Sequence, residues 1–331
     1  MTTPFARLAW RLGLAAALVL AAASTSSADS NQASAAVTPV QSGPQRIALE
    51  PSALQPADPG PTGRPGPYSY RWPVKPFGKQ HPVRGYFGDP RIANHGESRQ
   101  FHFGIDISAP DGTPVYATLT GRVYIHPLHP TTIAVVDGSG LEFSYWHVVP
   151  AVREGTRAVA YKTVIGHIEA PYAHVHFSER RGGRYLNPLR SGALGPFVDD
   201  TTPTVRSVTL TSGDIVAETY DETPLAVPRP WHDLPVTPAL VRWRILDSHG
   251  RAVVAWTTAV DFRLTIPSAS AFGDIWASGT TQNHVRAPGH YRLRLAALAD
   301  LRSRGQVIEL VVRDTRGNAS IRRFPLDFTH S

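Results

Sequence analysis

Five residues in this chain carry the side chains that a divalent metal and a hydrolytic reaction would need: His102 and Asp106 in FHFGID, His147 in YWH, and His174 with His176 in HVHF. A catalytic zinc ion takes three protein ligands of imidazole and carboxylate type and leaves a fourth position open. The inventory supplies such a set with two histidines over. In HVHF the imidazoles are one residue apart, so on a strand both point to one face while Val175 and Phe177 point the other way, into a core. Gly104, between His102 and Asp106, lets an extended or bulged segment bring imidazole and carboxylate together with no bulky side chain in the way.

Each spacing alone has a plainer reading. HxH also describes two ordinary strand histidines, HxxxD also a surface ion pair, and Asp106 also a turn aspartate. With fourteen histidines in 331 residues, chance pairs are expected. The remaining histidines, His126 and His129 among them, have no such company and read as solvent-facing or structural. Other hydrolytic machinery is missing from the sequence. Neither HExxH nor its inverted form occurs, there is no GxSxG elbow, and the absence of cysteine excludes a thiol nucleophile.

The five residues sit in a recognisable order of motifs. Gly85-Tyr86-Phe87-Gly88 and Arg91 precede His102-Phe103-Gly104-Ile105-Asp106-Ile107, which is followed by Ala109-Pro110-Asp111-Gly112-Thr113-Pro114-Val115. Then come Gly121-Arg122-Val123, Tyr145-Trp146-His147, Val164-Ile165-Gly166, His174-Val175-His176-Phe177 and Asn187-Pro188. From about Val83 to Leu189 the chain thereby resembles the LytM-type zinc endopeptidases of peptidase family M23, which includes lysostaphin. The resemblance implies that His102, Asp106 and His176 bind Zn2+ and that His147 and His174 are catalytic histidines beside the reacting water. It also implies a peptide substrate from bacterial peptidoglycan. Two neutral imidazoles and a carboxylate leave zinc a net positive charge with which to acidify water and polarise a carbonyl. Histidine can move the proton and donate to the oxyanion. Two features depart from the family pattern: the stretch before the last motif is shortened to His167–Ala173, and a central-strand Asn is replaced near Thr131 or Thr132.

The elements that must position these residues are β-strands. Short β-type runs separated by Gly, Pro and Asp turns are expected at Pro114–Ala117, Gly121–Ile125, Thr132–Val136, Leu141–Trp146 and Ala173–Glu179. After about Thr201, Val241, Trp243 and Ile245 alternate with Arg242 and Arg244, and Tyr291, Leu293 and Leu295 alternate with Arg292 and Arg294. These read as half-buried strands, and their spacing suggests an immunoglobulin-like β-sandwich. The fold expected is all-β: a LytM-type antiparallel β catalytic domain over 71–198 followed by that sandwich over 199–331. Trp231, Trp256 and Trp276 read as core packing or as an exposed carbohydrate-binding surface.

Residues 1–28 have the layout of a secretory signal peptide, with Arg7 and Arg11 before the apolar run Leu12–Ala23 and a cleavage site near Ala28. An uncleaved anchor that tethers the chain to the membrane is the other reading. Residues 29–70 are rich in Pro, Ser and Ala and read as a disordered linker. The location implied is secreted or cell envelope. A net charge of +7 and a pI near 9.8 would draw the protein to anionic cell-wall polymers. No basic-aromatic pattern suggests nucleic acid. The main functional expectation is an exported zinc metalloendopeptidase. The alternative is a catalytically silent LytM-like protein that binds the wall or activates an amidase. Oligomeric state is left open.

Overall fold

The computed structural model describes residues 69–92, 99–285, 287–297 and 307–326. The expected signal peptide and nearly all of the expected linker lie outside them. Tyr70, read as the last linker residue, is instead in the core: its ring packs on Phe143, and its hydroxyl donates to Glu179 Oε2 at 2.5 Å.

The described residues are nearly all-β, in antiparallel sheets, with one short helical stretch at Ala269–Ile275. One eight-stranded sheet orders β1 (Val83–Gly85), β4 (Ile105–Ser108), β12 (His174–Arg181), β8 (Glu142–Trp146), β7 (Thr132–Val136), β6 (Gly121–Ile125) and β10 (Arg157–Ala158), with β13 (Arg184–Leu186) paired to β12. A second sheet joins β5 (Pro114–Tyr116), β11 (Val164–Ile168) and β9 (Val148–Pro150), and β2 (Pro90–Ile92) pairs with β3 (Arg99–Phe101). The period-2 pattern determines the faces. Val175, Phe177, Ile105, Ile107 and Tyr145 are fully buried on one side of the large sheet. Each such side chain contributes roughly 1.5–3 kcal/mol of burial.

Seven further strands follow. β14 (Thr204–Thr211), β15 (Asp214–Tyr220) and β18 (Arg292–Ala297) form one sheet. β17 (Ala252–Asp261), β16 (Leu240–Leu246), β19 (Val307–Arg313) and β20 (Ala319–Pro325) form another, in that order. Val241, Trp243, Ile245, Leu293 and Leu310 are buried as their alternation requires. On the wet face Arg244 and Arg323 donate to the two oxygens of Glu309. Trp276 is core, whereas Trp256 is half-buried under the guanidinium of Arg244.

The apolar interior is continuous from the large sheet into these strands. Phe101 packs on Phe262 and Phe272 with ring centroids 5.6 and 5.3 Å apart. Asn187 donates to the Phe262 carbonyl, and the buried Asp89 accepts from Thr237 N at 3.0 Å.

Candidate metal centre

The register of β12 assembles the site. His176 stands opposite Asp106 on one side and Trp146 on the other, and Trp146 stands opposite Thr132. One row across the sheet therefore reads Asp106, His176, Trp146, Thr132 on the face opposite the core. His102 reaches the row from the loop after β3. Its main chain is fixed at both ends, with its N–H donating to Asp89 O and its carbonyl accepting from Gly88 N, each at 2.8 Å.

Three ligand atoms converge. His102 Nε2 and His176 Nδ1 are each 3.1 Å from Asp106 Oδ1 and 2.7 Å from each other. Four-coordinate zinc at its usual bond lengths separates its ligand atoms by roughly 3.3 Å, so the triangle is close to the right size. The outward hydrogen bonds select the tautomers. His102 Nδ1 donates to the Tyr86 carbonyl at 2.8 Å, which leaves Nε2 with its lone pair. Placing the single proton of His176 on Nε2, 2.8 Å from Ser178 Oγ, frees Nδ1 in the same way. Arg91 Nη2 donates to Asp106 Oδ2 at 2.8 Å and leaves Oδ1 to face the imidazoles.

Two glycines make the room. A Cβ on Gly104 would lie 2.5 Å from Phe177 O and 2.8 Å from His176 Nε2, and one on Gly85 would collide with Asp106 Oδ2 and Arg91. The expected reason for Gly104, room between imidazole and carboxylate, therefore holds with a nearer obstacle than anticipated: the adjacent strand itself.

Electrostatics suit a cation. Burial would raise the Asp106 pKa, but His102, His174 and Arg91 outweigh it and hold the carboxyl well below its ordinary value. Burial lowers His176 and His174 to about 4 and His147 to about 3, and it lowers His102 as well. At neutral pH the cluster is thus neutral imidazoles around an ionised carboxylate, the protonation states a metal ion requires. The group His102, Asp106 and His176 could hold such an ion.

His147 and His174 flank it. His174 Nε2 is 3.6 Å from Asp106 Oδ1, and the His147 and His174 rings are 4.7 Å apart. His147 adopts a left-handed conformation (φ 61°) after β8, and its ring stacks on Tyr172 at 3.9 Å. Ala173, just before His174, is also left-handed at φ 49°. Non-glycine residues in that region cost on the order of 1 kcal/mol each and recur at functional sites.

Arg84, Tyr172, Ser178 and Trp231 also belong to the site, and none reads as a site residue in the sequence: Trp231 reads there as core packing or a carbohydrate-binding surface, and Tyr172 only as part of the shortened stretch His167–Ala173. Arg84 Nη2 lies 3.0 Å from the Tyr172 carbonyl and 2.6 Å from His174 Nδ1. Its two hydrogens can serve both, because arginine has only donors. His174 Nδ1 also lies 2.8 Å from the Tyr172 carbonyl, which only accepts, so Nδ1 has a donor on one side and an acceptor on the other and both neutral tautomers find a partner there. Trp231 lies 4.3 Å from the Arg84 guanidinium. Ser178 was legible as the third member of the period-2 set His174, His176, Ser178; Arg84 gave no sequence signal, and nothing in the sequence linked Trp231 to it. His126 is structural, as expected: its Nδ1 accepts from the main-chain N–H groups of Leu128 and His129.

Residues 100–188 match the model of peptidase family M23, and all five residues fall within the match. Among solved structures, the catalytic domain of a variant of the prophage-encoded M23 protein EnpA from Enterococcus faecalis is 24% identical over 37% of this chain and 98% of that one (TM-score 0.28). A zinc-containing peptidase from Vibrio cholerae is 23% identical over 36% of this chain and 39% of that one (TM-score 0.30). The SpoIIIAH and SpoIIQ complex gives 21% identity over 37% of this chain and 98% of the matched one (TM-score 0.30). No curated protein matches the chain.

Proposed function

Taking the M23 segment as the premise, we propose that the protein is an exported zinc metalloendopeptidase that hydrolyses peptide bonds in bacterial peptidoglycan. The observation that carries this reading is the convergence of His102 Nε2, Asp106 Oδ1 and His176 Nδ1 within 3.1 Å, with two further imidazoles beside them. When bound, zinc supplies Lewis-acid chemistry, polarising a peptide carbonyl and acidifying water.

The protein groups divide the remaining work. His102, Asp106 and His176 hold the ion, with Tyr86 O, Arg91 and Ser178 orienting them. His174, with Nε2 facing the ligand cluster 3.6 Å from Asp106 Oδ1, is placed to donate to charge developing on the carbonyl oxygen when its proton is on Nε2. His147, neutral and pinned on Tyr172, is left to take the proton of the water and return it to the leaving amine. Trp146 and Phe103, with ring centroids 5.6 Å apart beside His176, border the place where a small-residue peptide would lie.

The run Leu12–Ala23 supports export, and the net charge of +7 supports retention by anionic wall polymers. Among the described residues no helix is long and apolar enough to cross a membrane. We assign residues 199–331 to an immunoglobulin-like module that holds the peptidase unit in place.

The test measures metal content and peptidoglycan digestion by mass spectrometry for the full chain, His176→Ala and His174→Ala. Zinc is expected in the first and third and new peptide termini only with the first. Zinc without cleavage by the unaltered chain would favour the silent, amidase-activating alternative, and full zinc in His176→Ala would overturn the ligand assignment.

A further inference from the structure

A second group of ligating side chains lies outside the His–Asp cluster. Asp199 follows the last segment of the M23 part, Asp221 comes directly after β15, and Asp314 opens the turn between β19 and β20. One oxygen of each lies within 4.8 Å of the others, and the three residues are only 4%, 1% and 3% exposed. Main-chain and hydroxyl donors bond one oxygen of each carboxylate, but burial outweighs them and raises the pKa of all three. Thr201 N and Oγ donate to Asp199 Oδ1, Glu222 N donates to Asp221 Oδ1, and Arg316 N and Asn318 N donate to Asp314 Oδ1. Two oxygens, Asp199 Oδ2 and Asp221 Oδ2, are buried with no hydrogen-bond partner.

An independent group points to the same place. Tyr86 is 5% exposed, and its buried hydroxyl has no hydrogen-bond partner. Asp89 is bonded to the Tyr86 main chain, yet the charges of Asp199, Asp221 and Asp314 each act on the phenol more strongly than that of Asp89. The buried phenol thus lies within electrostatic reach of the triad. Arg316, stacked on Phe197 at 4.9 Å, feels Asp199 and Asp314 in the same way. With all three carboxylates ionised, the one guanidinium would leave two negative charges in a buried space. Isolated buried charge is strongly disfavoured, and a divalent cation would bring the sum to zero.

We propose that Asp199, Asp221 and Asp314 bind a Ca2+ ion, with the Tyr86 hydroxyl as an additional oxygen donor. An all-oxygen set selects a hard cation over zinc. Donors fixed on three separate segments suit the irregular coordination of Ca2+ better than the strict octahedron of Mg2+. The competitor is a proton, since burial raises Asp221 to about 8 and Asp199 to about 6. Ca2+ affinity is therefore expected to rise with pH.

The experiment is calorimetric titration of CaCl2 into the full chain at saturating zinc, with thermal unfolding in parallel. One equivalent of Ca2+ and a saturable upward shift of the unfolding midpoint are expected. Asp221→Asn, which removes one buried charge while keeping the shape, is expected to fold, to be more stable without Ca2+ than the unaltered chain, and to lose the Ca2+ response. Asp199→Asn serves as the second variant. Absence of binding heat in the unaltered chain, or undiminished Ca2+ binding in both variants, would overturn the proposal.

Discussion

The chain carries two buried three-residue clusters, and they solve the problem of interior charge in opposite ways. Around His176 there is one carboxylate, answered by Arg91 at 2.8 Å, and the imidazoles are kept neutral by burial. Around Asp221 there are three carboxylates, two of them with an oxygen that nothing in the fold satisfies. The first is nearly neutral before any ion arrives, and its geometry is set by outward hydrogen bonds from Tyr86 and Ser178. The second is in deficit, and its cohesion depends on a proton or a cation. Preorganisation suits a centre that must do chemistry; dependence suits a fastening.

The strongest way to break the comparison is at the first cluster. His174→Ala should lower turnover by about 10²–10⁴-fold at unchanged zinc content, the range for loss of a proton-handling or donor group, as read from initial rates and elemental analysis. A smaller loss would mean that His174 only lines the site. Next comes Gly104→Ala, whose Cβ would press on Phe177 O and His176 Nε2. Overpacking of this kind costs about 1–3 kcal/mol, so the unfolding free energy should drop by that amount and zinc affinity should weaken together with it. Loss of stability with unaltered affinity would show that the strand yields elsewhere.

The two clusters should also respond to pH with opposite sign in metal-free protein. Asp221 rises from 3.8 to about 8 on folding. The native state then holds a proton that the unfolded chain releases, and its contribution, full below about pH 4, is lost as pH climbs toward 8. His174 and His176 fall from 6.5 to about 4. There the unfolded chain gains protons that the native state refuses, so stability declines as pH drops from 6.5 toward 4. Urea unfolding across this range should show a maximum near pH 6.5, and Ca2+ should flatten the alkaline side alone. A monotonic profile would contradict the assignment.

The smallest effect expected is that of Trp231→Ala. It removes the ring over Arg84, a contact of roughly 0.5–1 kcal/mol at such a site, and should lower turnover a few-fold and move the pH–rate profile while zinc content stays the same. An unmoved profile would mean that Arg84 holds His174 without help.

What was readable in the sequence follows from the range over which its patterns act. His174, His176 and the core partners Val175 and Phe177 are set by strand alternation, which one short window displays. The same holds for Val241, Trp243 and Ile245. His102, Asp106 and His147 were found because the order of motifs around them is distinctive. Asp199, Asp221 and Asp314 gave no such signal. Each reads locally as an ordinary turn or strand-end aspartate. Only tertiary packing reveals that their charges meet. Arg84 and Trp231 were hidden for the same reason, being brought together across two separate parts of the fold.

Tyr86 has a consequence for how this protein could be rebuilt or inherited. Its carbonyl steers His102, its buried hydroxyl has no hydrogen-bond partner among the described residues, and two positions on, Gly88 leaves no space for a side chain against Phe262. The peptidase segment is therefore not a detachable cartridge. Grafting residues 71–198 onto another carrier would strip Phe101 of its aromatic neighbours and Asp89 of the Thr237 amide, so recombination that shuffles this unit should succeed only when the following strands travel with it.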